Sequence, residues 1–102
     1  RNCPPQETIA MWQSVRNGEF KWIYPNQEGA NFVFNSELTY ELAVFKKYAL
    51  PALSQIPQTD PSYITANRLI KYLKYFKDII DESAIPCNSL IREFIGGSCF
   101  KV

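Results

Sequence analysis

The chain has 102 residues, 46% hydrophobic and 15% aromatic, and eleven Lys and Arg against ten Asp and Glu leave a net charge of +1. That content suits one domain with a modest core and excludes disorder throughout. The near balance of charge argues against a polyanion binder, so no nucleic-acid partner is expected, and no apolar run is long enough to cross a bilayer.

There is no histidine. Ser-His-Asp and Cys-His nucleophile systems, and zinc sites that use imidazole, are therefore ruled out. Cysteines stand at 3, 87 and 99, an odd number without a C-x-x-C pair. A disulfide framework and a metal site are not expected, and a reducing cytoplasm fits this usage best. The chain opens on Arg1 rather than Met and is expected to be a piece of a longer protein.

Residues 4–17, PPQETIAMWQSVRN, predict the first helix. Proline is tolerated in a first turn, Glu7 favours the positive end of the helix dipole, and Gly18 is placed to stop it. Ile9, Trp12 and Val15 or Arg16 form a narrow apolar stripe. FKWIYP is aromatic and β-prone, giving a short strand near 20–24 that Pro25 ends. ANFVF, apolar on both faces, gives a second strand near 30–34, although no later segment supplies an obvious partner.

Asn35 or Ser36 then caps a helix over 36–56. Its face is Leu38, Leu42, Phe45, Ala49, Ala52, Leu53 and Ile56, and Pro51 should kink or break it near Leu50 at a cost of about 3 kcal/mol. Thr59 or Asp60 caps a third helix over 61–79. Its stripe is Tyr63, Ala66, Leu69 or Ile70, Leu73, Phe76 and Ile80, flanked by Arg68, Lys71, Lys74 and Lys77. A short helix over 89–95 follows, capped by Asn88 or Ser89, with Leu90, Ile91, Phe94 and Ile95 apolar. The expected fold class is mainly α: four helices and at most two short strands.

The stretch NSLIREFIGGS decides whether this tail holds a phosphate. A phosphate-cradling loop needs its glycines before a helix, where N–H groups point at the anion. Gly96 and Gly97 come after one, the order of a C-terminal stop. The tail reads as a docking helix; its Arg92 either offers a planar fork to a carboxylate or phosphate or pairs with an acid at the surface.

Three segments in order, QETIAMWQSVRNGEFKWIYPNQEGANFVFNSELTYELAVFKKYALPAL, ANRLIKYLKYF and NSLIREFIGGS, resemble the C-terminal part of bacterial nucleoside kinases of the uridine kinase and phosphoribulokinase superfamily. The resemblance covers nearly the whole chain. It implies ATP-dependent phosphoryl transfer to a nucleoside hydroxyl in a P-loop α/β fold, with ATP and Mg²⁺ bound by residues upstream of this chain. It divides residues 1–102 into a lid-end helix (1–18), a strand or connector (19–35) and a helical region (36–102). No catalytic residue is expected within the chain.

Arg1 falls near the family's phosphate-contacting lid arginine, and Arg16 matches the first Arg of an R-R-G pattern. These two are the candidate phosphate or nucleotide contacts. Cys3 stands where a second basic residue is usual, Asn17 replaces the second Arg, and Asn31 replaces an Asp. The expected partners are the upstream catalytic domain, its nucleoside, and a second copy of the chain through residues 20–34.

Other residues have plainer readings. Arg68, Lys71, Lys74 and Lys77 fit a solvated helix flank better than phosphate contacts. Trp12, Trp22 and Tyr24 fit a core better than base stacking. Glu37 and Glu41, one turn apart, fit a helix start better than an acid pair or metal site. The rival to the kinase reading is a non-enzymatic helical interaction module.

Overall fold

The computed structural model describes residues 3–79 and 81–100. The fold is mainly helical, and among the described residues there is no strand. These described residues form four α-helices: α1 (Pro5–Gly18), α2 (Glu41–Ser54), α3 (Tyr63–Leu73) and α4 (Arg92–Ile95).

α1 starts where proline chemistry allows. Pro4 sits at φ −59°, ψ 149°, outside the helical region, and Pro5 occupies the first turn. Gly18 does not stop the helix. Its φ of −63° and ψ of −43° are right-handed helical, and the chain continues as a π-helical turn over Glu19–Ile23 and a 3₁₀ stretch over Tyr24–Gly29.

The strand expected near 20–24 is therefore helical. β-propensity measures fit to a pleated, partnered surface, and no strand is on hand to pair with this one. Local contacts decide instead. Phe20 and Tyr24 meet edge to face at 5.2 Å. The Asn26 side-chain amide donates to the Trp22 carbonyl at 2.8 Å, and Pro25 sits in the first turn of the 3₁₀ stretch. The strand expected near 30–34 has no regular structure. Phe32, Val33 and Phe34 are 80–83% exposed.

α2 begins later than position 36. The Asn35 side-chain oxygen accepts from the Glu37 N–H at 3.0 Å, closing a local turn instead of capping the helix. α2 then runs through Pro51 without a break. The proline lies in the last turn, so the bond it removes, to the Lys47 carbonyl, is among the final ones of the helix. The Ser54 hydroxyl donates to the Leu50 carbonyl at 2.7 Å, and Leu53 and Ile56 beyond the proline are buried.

α3 begins at Tyr63, later than position 61: its N-cap is Ser62, without a side-chain capping bond, and the Asp60 carboxylate accepts from the Ser62 N–H at 2.8 Å, closing a local turn instead of capping the helix. It ends at Leu73 rather than 79. Tyr75 and Phe76 donate to carbonyls only three residues back, tightening the chain out of the helix. Lys46 on α2 holds the outgoing segment, donating to the Phe76 carbonyl at 2.9 Å and pairing with Asp78 at 2.8 Å. The expected stripe position Ile80 lies outside the described residues.

α4 starts at Arg92, later than position 89: Arg92 and Glu93 donate to the Ser89 and Leu90 carbonyls, three residues back, and the Ser89 hydroxyl bonds the Tyr40 phenol at 3.0 Å instead of capping the helix. It stops at Gly96 as expected. Gly96 and Gly97 have φ of 93° and 77°, a region that penalises any side chain.

The core lies on both sides of α2. Leu53, Ile56, Ala66 and Leu73 form one cluster, with Ile9 and Ile70 packed against it. Val44, Ile85 and Ile91 form the second, flanked by Tyr40, Phe45 and Ile79. Each large aliphatic side chain buried here stabilises the fold by about 1.5–3 kcal/mol. The buried Ser62 hydroxyl donates to the Gln6 carbonyl at 3.1 Å and ties α3 to α1.

Candidate functional site

Arg16 lies at the end of α1, where the π turn folds Tyr24 back towards it. Its guanidinium reaches the Glu19 carboxylate at 2.8 Å and the Tyr24 oxygen at 2.9 Å. The Tyr24 hydroxyl donates in turn to Glu19 at 3.0 Å. The same guanidinium lies 4.9 Å from the Phe20 ring centre. Arg16 is half-exposed, and an incoming phosphate would compete with Glu19 for it. Arg1, the other sequence candidate, lies outside the described residues.

No residue of α1 is fully buried. Trp12, Val15, Trp22 and Ile23 are each about half exposed or more. A cleft of about 370 Å³ opens between α1 and α3, lined by Thr8, Ile9, Trp12, Thr65 and Leu69. It continues into an apolar groove of about 450 Å³ against α2. The expected core role of Trp12, Trp22 and Tyr24 is not what the structure gives them. They face solvent, on the segment that leaves the most apolar surface uncovered.

The basic flank is split where α3 ends. Arg68 and Lys71 ride the helix, Lys74 sits at its C-terminal cap and Lys77 lies beyond. All four are exposed. Glu37 precedes α2 and Glu41 is in its first turn, so the two do not face each other across a helical turn. Among the described residues no three His, Cys, Asp or Glu side chains converge to hold a metal ion.

Arg92 does neither of the two things expected of it. It donates to backbone: to the Glu82 carbonyl at 2.6 Å, to the Ile85 carbonyl at 2.8 and 3.2 Å, and to Gly96 at 3.4 Å. Its planar fork thus folds the tail onto the 82–85 segment. Beside it, Glu82 accepts from Lys47 at 2.9 Å and from Tyr48 at 2.9 and 3.1 Å. The hydrogen bonds from Lys47 and then Tyr48 hold the Glu82 carboxyl below its ordinary range, and the bond to Glu82 pushes both Lys47 and Tyr48 up.

Sequence reasoning missed Lys46, Ser62, Tyr48 and Glu82. Each acts on a partner at least thirty residues away, and no local spacing signals such a pair. Comparison with protein-family models, with curated proteins and with solved structures finds no match in any of the three.

Proposed function

We propose that this chain is the C-terminal part of an ATP-dependent, uridine-type nucleoside kinase, in which its helices back a catalytic domain lying upstream in the same polypeptide. The observation that carries this is the uncovered apolar face of α1 and residues 20–34, which coincides with the segment that the resemblance assigns to the lid end and its connector. The accessible surface is 8594 Å², where about 5900 Å² is typical of a compact protein of this mass. The radius of gyration is 16.2 Å against about 13 Å for a compact chain of this length. The excess exceeds the roughly 800 Å² that each partner contributes to a standard interface, which favours a chain that rests against further protein.

On this reading ATP, Mg²⁺ and the nucleoside bind the upstream domain, in the cytoplasm, and this chain carries no catalytic residue. Arg16, once released from Glu19, and Arg1 reach the phosphates from the lid side. Self-association through residues 20–34 belongs to the same reading, and light scattering at high concentration measures it.

The test compares the full-length protein with the 102-residue chain in an ATP- and Mg²⁺-dependent uridine phosphorylation assay. Turnover by the long protein and none by the short chain is expected. Turnover by the short chain alone, or a gene without a phosphate loop before Arg1, overturns the proposal. The apolar groove between α1, α2 and α3 favours a second reading, a helical interaction module without catalysis. An inactive full-length protein that still binds a partner through Trp12 and Leu69 would favour it.

A further inference from the structure

Cys87 and Cys99 are both exposed and both free. The sequence places them twelve positions apart, with Gly96 and Gly97 between. The left-handed backbone at those two glycines turns the tail back, and the Cys99 N–H donates to the Cys87 carbonyl at 3.0 Å. Covalent geometry on either side of one such N–H···O=C bond keeps the two Cα atoms roughly 4.5–6.5 Å apart. That lies within the roughly 4.4–6.8 Å range that a disulfide spans. Arg92 fixes the intervening residues, tying Ile85 on one side to Gly96 on the other. The third thiol, Cys3, belongs to the start of α1 and contacts Glu7.

We propose that Cys87 and Cys99 form a reversible oxidation site, closing a disulfide around α4 when a low-molecular-weight disulfide such as oxidised glutathione is the oxidant. One cysteine, as thiolate, attacks a sulfur of the small disulfide and expels one small thiolate. The second cysteine loses its proton and attacks the protein sulfur of the mixed disulfide, expelling the other. The two protein thiols lose two protons and two electrons, and one small disulfide becomes two small thiols. Local loss of solvent, followed by the hydrogen bond and charge of the neighbouring Cys87 thiol, pushes the Cys99 thiol up. Attack by Cys99 therefore quickens as pH rises.

The ring encloses Arg92 and Ile91, so oxidation ties the tail to the cluster of Val44, Ile85 and Ile91. The experiment equilibrates the chain in glutathione redox buffers, with and without guanidinium chloride at a concentration that unfolds it, followed by mass measurement and non-reducing peptide mapping. Under native conditions a mass loss of about 2 Da, mapped to Cys87–Cys99, is expected at an oxidised-to-reduced glutathione ratio at least tenfold lower than for the unfolded chain. Cys3→Ser should leave this unchanged, and Cys87→Ser should stop at a mixed disulfide. The same ratio for native and unfolded chain, or a bond that includes Cys3, overturns the proposal.

Discussion

Replacing Arg92 tests the tail most directly. Its guanidinium makes two short bonds, 2.6 Å to Glu82 and 2.8 Å to Ile85, and two longer ones at 3.2 and 3.4 Å. A hydrogen bond to a charged group contributes about 1.5–3 kcal/mol, and a carbonyl left without its donor raises the loss. Taking the low end for a half-exposed side chain and counting only the two short bonds, Arg92→Ala should cost about 3 kcal/mol. On a chain of this size that lowers the thermal midpoint by roughly 10–20 °C. Arg92→Lys keeps the charge but cannot span the Glu82 and Ile85 carbonyls with one planar group, so about half of the loss should remain. The measurement is urea unfolding followed by helical circular dichroism, with exposed Glu93→Ala as the control expected within about 0.5 kcal/mol of the parent. An Arg92→Ala midpoint equal to that of the control would refute the argument that the fork folds the tail.

Acidification should separate Glu82 from a neutral amide. Its carboxyl is depressed in the folded state, so the stability it contributes is present above its ordinary value of 4.5 and is lost as pH falls through the lower folded value. Urea midpoints measured from neutral pH into that acid range should fall for the parent and fall less for Glu82→Gln. Lys47 and Tyr48 are raised, so their contributions hold below 10 and disappear as pH climbs through the higher folded values. Ile91→Ala, at 1% exposure, should cost about 2–5 kcal/mol, whereas Phe32→Ser, at 83% exposure, should change the midpoint by less than about 0.5 kcal/mol. Ser62→Ala removes the bond to Gln6 and should cost about 1 kcal/mol, seen as faster amide exchange in the first turns of α1 with α2 unchanged.

The helices were legible in the sequence because their causes are local. Asp60 ahead of Pro61 marks the turn that leads into α3, and Gly96 and Gly97 announce the end of α4. Gly18 shows the limit of that logic: a glycine is free to adopt a left-handed turn, but it also continues a helix when the residues after it make helical contacts, as Phe20 and Tyr24 do. Val44 lay off the expected stripe of α2, yet it is 1% exposed because Ile85 and Ile91 return to the opposite face. No periodicity within α2 records that return. Leu69 and Ile70 were equivalent by spacing, and the structure separates them, packing Ile70 against the core and leaving Leu69 on the cleft. At the candidate site, Arg16 stood out only through the family resemblance, and the closing of Glu19 and Tyr24 on it depends on a π turn that propensity did not suggest.

The two sides of the molecule are built differently, and the difference bears on what it does. α2 carries a buried cluster on each face, and the tail is folded onto it by Arg92, Lys46 and the Tyr40–Ser89 pair. That half satisfies itself from its own residues. α1 is held chiefly by Ile9 and the Ser62–Gln6 bond, and the continuation to residue 34 has no buried side chain. Elements with so few buried contacts open at low free energy. Exposed Trp, Phe and Val side chains are also the groups whose burial against other protein returns the most free energy. A helical base that presents a weakly held, aromatic edge fits the proposal made above, in which a lid-side element moves against a catalytic domain while staying covalently attached to a fixed support.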